Sequence, residues 1–278
     1  MKKYVEVKAD SNVKRLVGWF KPFSSAAVAF SGGVDSSLLA YAARTALGNK
    51  AIAVASVSPS FAREEISQAR QVASEIGIRL VEVAQDDLSD ENYTKNGVMR
   101  CYFCRSNLVV SLRPILLENS IEVCVDGTHA EDMKSPRPGV RALREAGFRA
   151  PLLELGFDKN AVRQSAKSAG LSCWDRPSEA CLSSRVAYGN EITLEKLRKI
   201  EAAELVVKAI TRASIVRVRI IGAHASVEVD KESVHDALLN RHRIQDELEK
   251  IGFASVEIDQ DGYTPGKMLE LFAKSKEQ

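Results

Sequence analysis

No apolar run in the 278 residues approaches the roughly 18 residues of a membrane span, so no membrane is expected as a partner. The start, Met1 to Asp10, lacks the apolar core of a secretory signal, which makes the cytoplasm the expected location. Neither sign of charge dominates. Thirty-nine Lys and Arg stand against 37 Asp and Glu, for a net charge of +2, too little to suggest a large nucleic-acid footprint, and none is expected. The five cysteines are an odd number in a chain with no export signal, which argues against a disulfide framework. Only four histidines occur, none at metal spacing, and no second C-x-x-C pair completes a structural zinc site. Repeats and low-complexity segments are absent as well.

What is present begins at Ala27-Val28-Ala29-Phe30-Ser31-Gly32-Gly33-Val34-Asp35-Ser36-Ser37. Four apolar residues read as a buried strand, Ser-Gly-Gly as a tight turn, and the apolar spacing of Leu38, Leu39, Ala42 and Ala43 as a helix. Glycines let backbone N–H groups approach a ligand, and a helix start adds the positive end of its dipole, so the turn suits a phosphate. It is not a Walker A loop: no Gly-Lys-Ser/Thr follows, and no lysine is at hand for the phosphates. The alternative is an ordinary capped turn.

A packing helix over 11 to 22 precedes this loop, and a buried strand at Ala51 to Val57, a helix at about 61 to 76 and a strand at Arg79 to Val83 follow it. Strands alternating with helices predict a doubly wound parallel sheet in an α/β domain, with ligands at the carboxyl ends of the strands. Asp86 to Met99 reads as an aperiodic polar loop. It leads into a helix from Arg100 to about Asn119 that carries Cys101 and Cys104 on one face. The strand Ile121 to Val125 ends at Asp126-Gly127-Thr128, at the same sheet edge as the phosphate loop. Residues 130 to 150, rich in charge, proline and glycine, read as a mobile loop over the site, and about 159 to 169 as a helix. After residue 190 the pattern changes. A helix over about 193 to 210, a hairpin of Ser214 to Ile220 and Ala225 to Val229, a helix over 232 to 251 and a strand at 253 to 258 form a smaller α+β domain. The expected division is 1–190 and 191–278.

Cys101-x-x-Cys104 suits a redox pair, half a zinc site or part of an iron–sulfur site. With Cys181, in a polar connection, it makes a three-cysteine cluster conceivable, unrelated structural thiols being the alternative. Cys124, between two valines, and Cys173 read as packing residues. Arg217 and Arg219 leave one face of the hairpin together, which suits a phosphate monoester as well as solvated surface charge.

Taken together, the SGGVDSS loop, Arg100-Cys-Tyr-Phe-Cys104, Asp126-Gly-Thr128, Arg137-Pro-Gly139, Trp174-Asp-Arg-Pro177, Cys181-Leu-Ser-Ser-Arg185 and Arg217-Val-Arg219 resemble the LarE sulfur transferases of the PP-loop ATP pyrophosphatase superfamily. The resemblance implies an enzyme that adenylylates pyridinium-3,5-biscarboxylic acid mononucleotide with ATP and Mg²⁺, then installs sulfur on the path to the nickel-pincer nucleotide. It implies ATP contacts from Ser31, Gly32, Gly33, Asp35, Ser36, Ser37, Ser56, Asp126 and Thr128, with Asp35 also on Mg²⁺. Arg217 and Arg219 would hold the substrate phosphate, Glu228 would line that site, and Arg185 would steady the adenylate. Sulfur comes in this family either from one sacrificed cysteine, here Cys181, or by way of a [4Fe-4S] cluster on three, here Cys101, Cys104 and Cys181. The presence of all three favours the cluster. A sulfide donor and a homo-oligomer, a hexamer among the forms, are implied too. The rival readings are a tRNA thiolase, an NAD synthetase-like ligase and an iron–sulfur sensor; a near-neutral small domain argues against the first.

Overall fold

The computed structural model describes residues 10–134, 137–177 and 179–267. Residues 1–9, on which the expectation about a secretory signal falls, and the Ser135-Pro136 step of the expected mobile loop lie outside them. In chain order the first elements are α1 (Ser11–Phe20), β1 (Ala26–Ala29), α2 (Val34–Leu47), β2 (Ala51–Val57), α3 (Arg63–Ile76) and β3 (Arg79–Ala84). The short α4 (Glu91–Thr94), α5 (Arg100–Glu118), β4 (Val123–Val125), α6 (Pro138–Glu145), α7 (Pro151–Glu154) and α8 (Lys159–Ser168) follow. The remainder is α9 (Leu194–Thr211), β5 (Val216–Ile221), β6 (His224–Val229), α10 (Val234–Leu239), α11 (Arg241–Ile251) and β7 (Ser255–Ile258). No described helix is long and apolar enough to cross a membrane.

Two compact units result. The first gathers residues 1–58, 63–86 and 101–179; the second gathers 59–62, 87–100 and 180–278. In the first, four parallel strands run in the order β3-β2-β1-β4, with Val28 opposite Ala53 on one side and Val125 on the other. Side chains alternate across a strand, and here both faces are covered. Ala26, Val28, Ala51 and Ala53 pack with Leu16 and Phe20 of α1, Leu38 and Leu39 of α2, Val72 of α3 and Val162 of α8. Ala27, Ile52 and Val54 pack on the other face with Leu108 and Leu112 of α5 and Leu143 of α6. This is the expected doubly wound α/β sheet.

In the second unit β5 and β6 form an antiparallel hairpin turned at Gly222, and β7 adds in parallel to β6. Helix α9 packs on β5 and α11 on α9 and β7, burying Leu197, Ile200, Ala203 and Val207 with Val218, Ile244 and Leu248.

Three expectations are corrected. The expected mobile segment at 130–150 holds a 3₁₀ turn at Ala130–Lys134 and then α6, which Pro138 opens and whose Ala142 and Leu143 are buried. The helix expected over 232–251 breaks at Asn240 into α10 and α11. The stretch Asp86 to Met99, read as an aperiodic polar loop, holds a 3₁₀ turn at Asp87–Ser89 and then α4, with Asp87, Tyr93 and Asn96 buried.

Candidate functional site

The first unit carries the phosphate loop. The chain leaves β1, turns through Ser31-Gly32-Gly33 and starts α2 at Val34, with no side chain capping the helix. Its first N–H groups are therefore left for an anion. Gly32 has φ +74°, and a Cβ there would stand 2.7 Å from the Cα of Ala69 on α3, so glycine is required twice over. The Ser36 hydroxyl donates to Gly33 O at 3.1 Å and accepts from Ser31 N at 3.2 Å, which folds the turn back on the helix start. Ser37 stands apart from this group: it is fully buried, beside Cys173 in the core.

Asp35 sits in the first turn of α2, where it receives two hydrogen bonds from Lys159 Nζ at 2.8 and 2.6 Å. His129 Nε2 lies 3.9 Å from the same carboxylate and 3.6 Å from Asp132. The segment after β4 reaches this spot because Gly127 has no side chain: a Cβ there would be 3.1 Å from Asp35 Cβ and 3.2 Å from Ser36 N. Asp126 and Thr128 thus come beside the loop, as expected. The Thr128 amide and hydroxyl both donate to Asp126, yet burial outweighs these bonds and raises its carboxyl above the usual range. Lys159 is a residue that the sequence did not single out. It arrives from 124 residues along the chain, and the only signal for it was a lysine following a helix-capping Asp158.

Ser56 faces another group. Its hydroxyl donates to Gln85 Oε1 at 2.6 Å, and Gln85 Nε2 donates to Cys104 O at 2.8 Å, with Cys104 Sγ at 3.6 Å. The ends of β2 and β3 are thereby tied to the first turn of α5. Cys101 is exposed and Cys104 half-buried there, and Gly139 at the start of α6 lies against the Cys101 carbonyl. All five cysteines are thiols outside disulfides. Cys173 is a core residue, and burial pushes the Cys124 thiol up to about 11.

The second unit holds Cys181, half-buried at the start of the 3₁₀ turn Leu182–Arg185. Arg185 is 1% exposed. It forms a two-pronged pair with Glu204 of α9 at 2.8 and 3.1 Å and donates to the carbonyls of Ala180 and Cys181. Glu204 also accepts from Val218 N at 3.0 Å, which fixes the Cys181 turn to the sheet through α9. Glu204 was missed in the sequence, where nothing separates it from other helix-surface acids.

Arg217 and Arg219 are both buried, which removes the reading of solvated surface charge. Arg219 grips Glu228 with both prongs, at 2.7 and 2.8 Å, across the hairpin. Arg217 donates to Val216 O and lies 5.5 Å from the Tyr263 ring centre.

Residues of the stretch before α5 complete this unit. The Tyr93 hydroxyl lies between Ser60 Oγ at 2.6 Å and Ser183 Oγ at 2.5 Å, and burial, with the nearby Cys181 thiol, raises its ionisation well above the normal range. Asn96 Nδ2 donates to the carbonyls of Val186, Ala187 and Asn190. Arg100 Nη1 donates to Asn96 Oδ1 at 2.8 Å and to Ser183 O at 3.0 Å.

Three cysteine thiolates are the donor chemistry that a [4Fe-4S] cluster with one open iron takes. Among the described residues, however, no three His, Cys, Asp or Glu side chains are gathered as a metal-binding group.

The parallel sheet with a Ser-Gly-Gly-x-Asp-Ser turn at a strand end defines an ATP-using α/β protein of the PP-loop class, and the asparagine synthase family profile matches residues 23–100. The chain is 37% identical to an uncharacterized protein of Synechocystis over 95% of its length and 99% of the relative's. It is 31% identical to the pyridinium-3,5-bisthiocarboxylic acid mononucleotide synthase of Lactiplantibacillus plantarum, over 94% of this chain and 95% of that one. An uncharacterized protein of Methanocaldococcus jannaschii is 26% identical over 85% of this chain and 89% of its own. The chain belongs to the LarE family of ATP-dependent sulfur transferases.

Proposed function

We propose that the protein adenylylates the carboxylates of pyridinium-3,5-biscarboxylic acid mononucleotide and exchanges the activated oxygen for sulfur, giving thiocarboxylates for nickel-pincer nucleotide biosynthesis. The observation that carries this reading is the phosphate turn with Asp35 neutralised by Lys159 at its helix start. The carboxylate oxygen of the substrate attacks the α-phosphorus of ATP, the α–β bridging bond breaks, and pyrophosphate leaves with its electron pair. Ser31, Gly32, Gly33 and Ser36 receive the phosphates, with Asp126 and Thr128 beside them. When bound, Mg²⁺ on Asp35 would neutralise charge on the departing pyrophosphate. That would release the Lys159 ammonium toward the same phosphates. Sulfur, as hydrosulfide or a thiolate, then attacks the acyl carbon, and AMP leaves.

Arg217 and Arg219 take the substrate phosphate, Glu228 holding Arg219 in place, while Arg185 acts through the Cys181 turn that it fixes. Cys101, Cys104 and Cys181 would hold a [4Fe-4S] cluster, which when bound would supply a site for exchangeable sulfide. A sulfide donor, a homo-oligomer and a cytoplasmic location belong to the same proposal.

The half-buried Cys181, whose turn Arg185 fixes, supports a second route that needs this thiol alone. In it the Cys181 thiolate attacks the adenylate and expels AMP, giving a thioester. Loss of the Cys181 α-proton to a base then breaks the Cβ–S bond, and thiocarboxylate and dehydroalanine result with no change in oxidation level.

Protein purified without oxygen tests both routes. Cleavage of ATP to AMP and pyrophosphate only with the pyridinium dicarboxylate supports adenylylation, whereas ADP and phosphate refute it. Iron with acid-labile sulfide supports the cluster. Iron-free protein whose Cys181 loses the mass of H₂S in one turnover selects the second route.

A further inference from the structure

We propose that Tyr93 is a positioning residue for sulfur transfer, its hydroxyl fixing, through Ser183, the turn that carries Cys181. The residue is 1% exposed, and its hydroxyl lies 2.6 Å from Ser60 Oγ and 2.5 Å from Ser183 Oγ. These serines stand 33 and 90 residues from it along the chain, and all three belong to the second unit. The Ser60 carbonyl also accepts from Leu182 N at 2.8 Å. Three contacts therefore close on one another: Leu182 to the Ser60 backbone, the Ser60 side chain to Tyr93, and Tyr93 to Ser183. They hold the two residues that follow Cys181. From the other side, Arg185 Nη1 and Ser184 N both donate to the Cys181 carbonyl, each at 2.9 Å. Cys181 itself stays half-buried at the head of the turn.

Two features separate this from ordinary packing. A phenylalanine would fill the same volume, whereas a buried hydroxyl costs free energy unless it is bonded, and here it is bonded on two sides. Burial, helped by the Cys181 thiol, also keeps the phenol protonated, so it can donate to one serine while accepting from the other. Whether Cys181 serves a cluster or gives up its own sulfur, its turn has to keep one geometry. A misplacement of about 1 Å is enough to cost on the order of 10²-fold in rate.

The inference rests on the proposed sulfur transfer, so its test separates the two half-reactions. In Tyr93→Phe, which keeps the ring and deletes the hydroxyl, thiocarboxylate formation followed by mass spectrometry should fall by about tenfold while pyrophosphate release stays within about twofold. A merely structural role would lower both together through loss of folded protein. Ser183→Ala should show the same split, and the double variant should fall no further, because the two residues act through one contact. Should Tyr93→Phe not fold, Ser183→Ala alone must show the split. An equal loss in both half-reactions, no loss, or additive losses in the double variant overturns the proposal. If the unaltered protein makes no thiocarboxylate, the function fails and Tyr93 is judged on Cys181 alone. At equal iron content, iodoacetamide should then label Cys181 about threefold faster in Tyr93→Phe, because the turn is loosened, and an unchanged rate overturns the assignment.

Discussion

Replacing Gly32 by alanine tests the geometry of the phosphate turn. The φ of +74° places an L side chain in the left-handed region, at a cost of about 1–2 kcal/mol. The new Cβ would also stand 2.7 Å from the Cα of Ala69, and forcing an extra methyl into a packed site costs about 1–3 kcal/mol. The sum, about 2–5 kcal/mol, corresponds to a fall in melting temperature of roughly 4–20 °C for a unit of this size. The turn can relieve the contact only by moving away from α3, so pyrophosphate release should drop by about tenfold or more even where the protein stays folded. Calorimetry and a pyrophosphate-release assay read the two effects. Ala69→Gly should not rescue the variant, because the nearest atom belongs to the backbone of Ala69 and remains. A melting temperature within 1 °C of the parent, or full rescue by Ala69→Gly, would refute the reasoning.

Arg219→Ala strands Glu228, which is 1% exposed, and should cost about 3–5 kcal/mol in urea unfolding, whereas Arg219→Met with Glu228→Leu should cost much less. Equal losses in the two would show that the pair is not buried as described. Asp126 carries a raised carboxyl pKa in the folded chain, so between the unfolded and folded values the native state holds the proton more tightly than the unfolded state. Stability from this group is therefore lost as pH rises through that window. Asp126→Asn should raise the melting temperature at pH 7 relative to the parent and lose that advantage in acid; no pH dependence of the difference would contradict the assignment.

The hairpin shows how far the sequence carries. Alternation in Val-Arg-Val-Arg put Arg217 and Arg219 on one face of it, because side-chain direction along a strand has period two. Whether water or protein covers that face depends on what packs there, and alternation carries no such information. The stretch 87–100 shows the same limit in a stronger form. Its buried polar residues have no period, since Asn96 and Arg100 are satisfied by carbonyls some 90 residues away in the chain.

Local rules were enough for the strand, turn and helix around Gly32, for the hairpin at Gly222 and for the ordering of sheet and small domain. Each of these is set by dihedral freedom, capping and periodicity within a few residues. Tertiary structure alone brought Lys159 to Asp35, Glu204 to Arg185 and residues 59–62 and 87–100 into the second unit. Buried charges and polar atoms are stable only where a partner meets them, and chain connectivity leaves that partner's position in the sequence unrestricted.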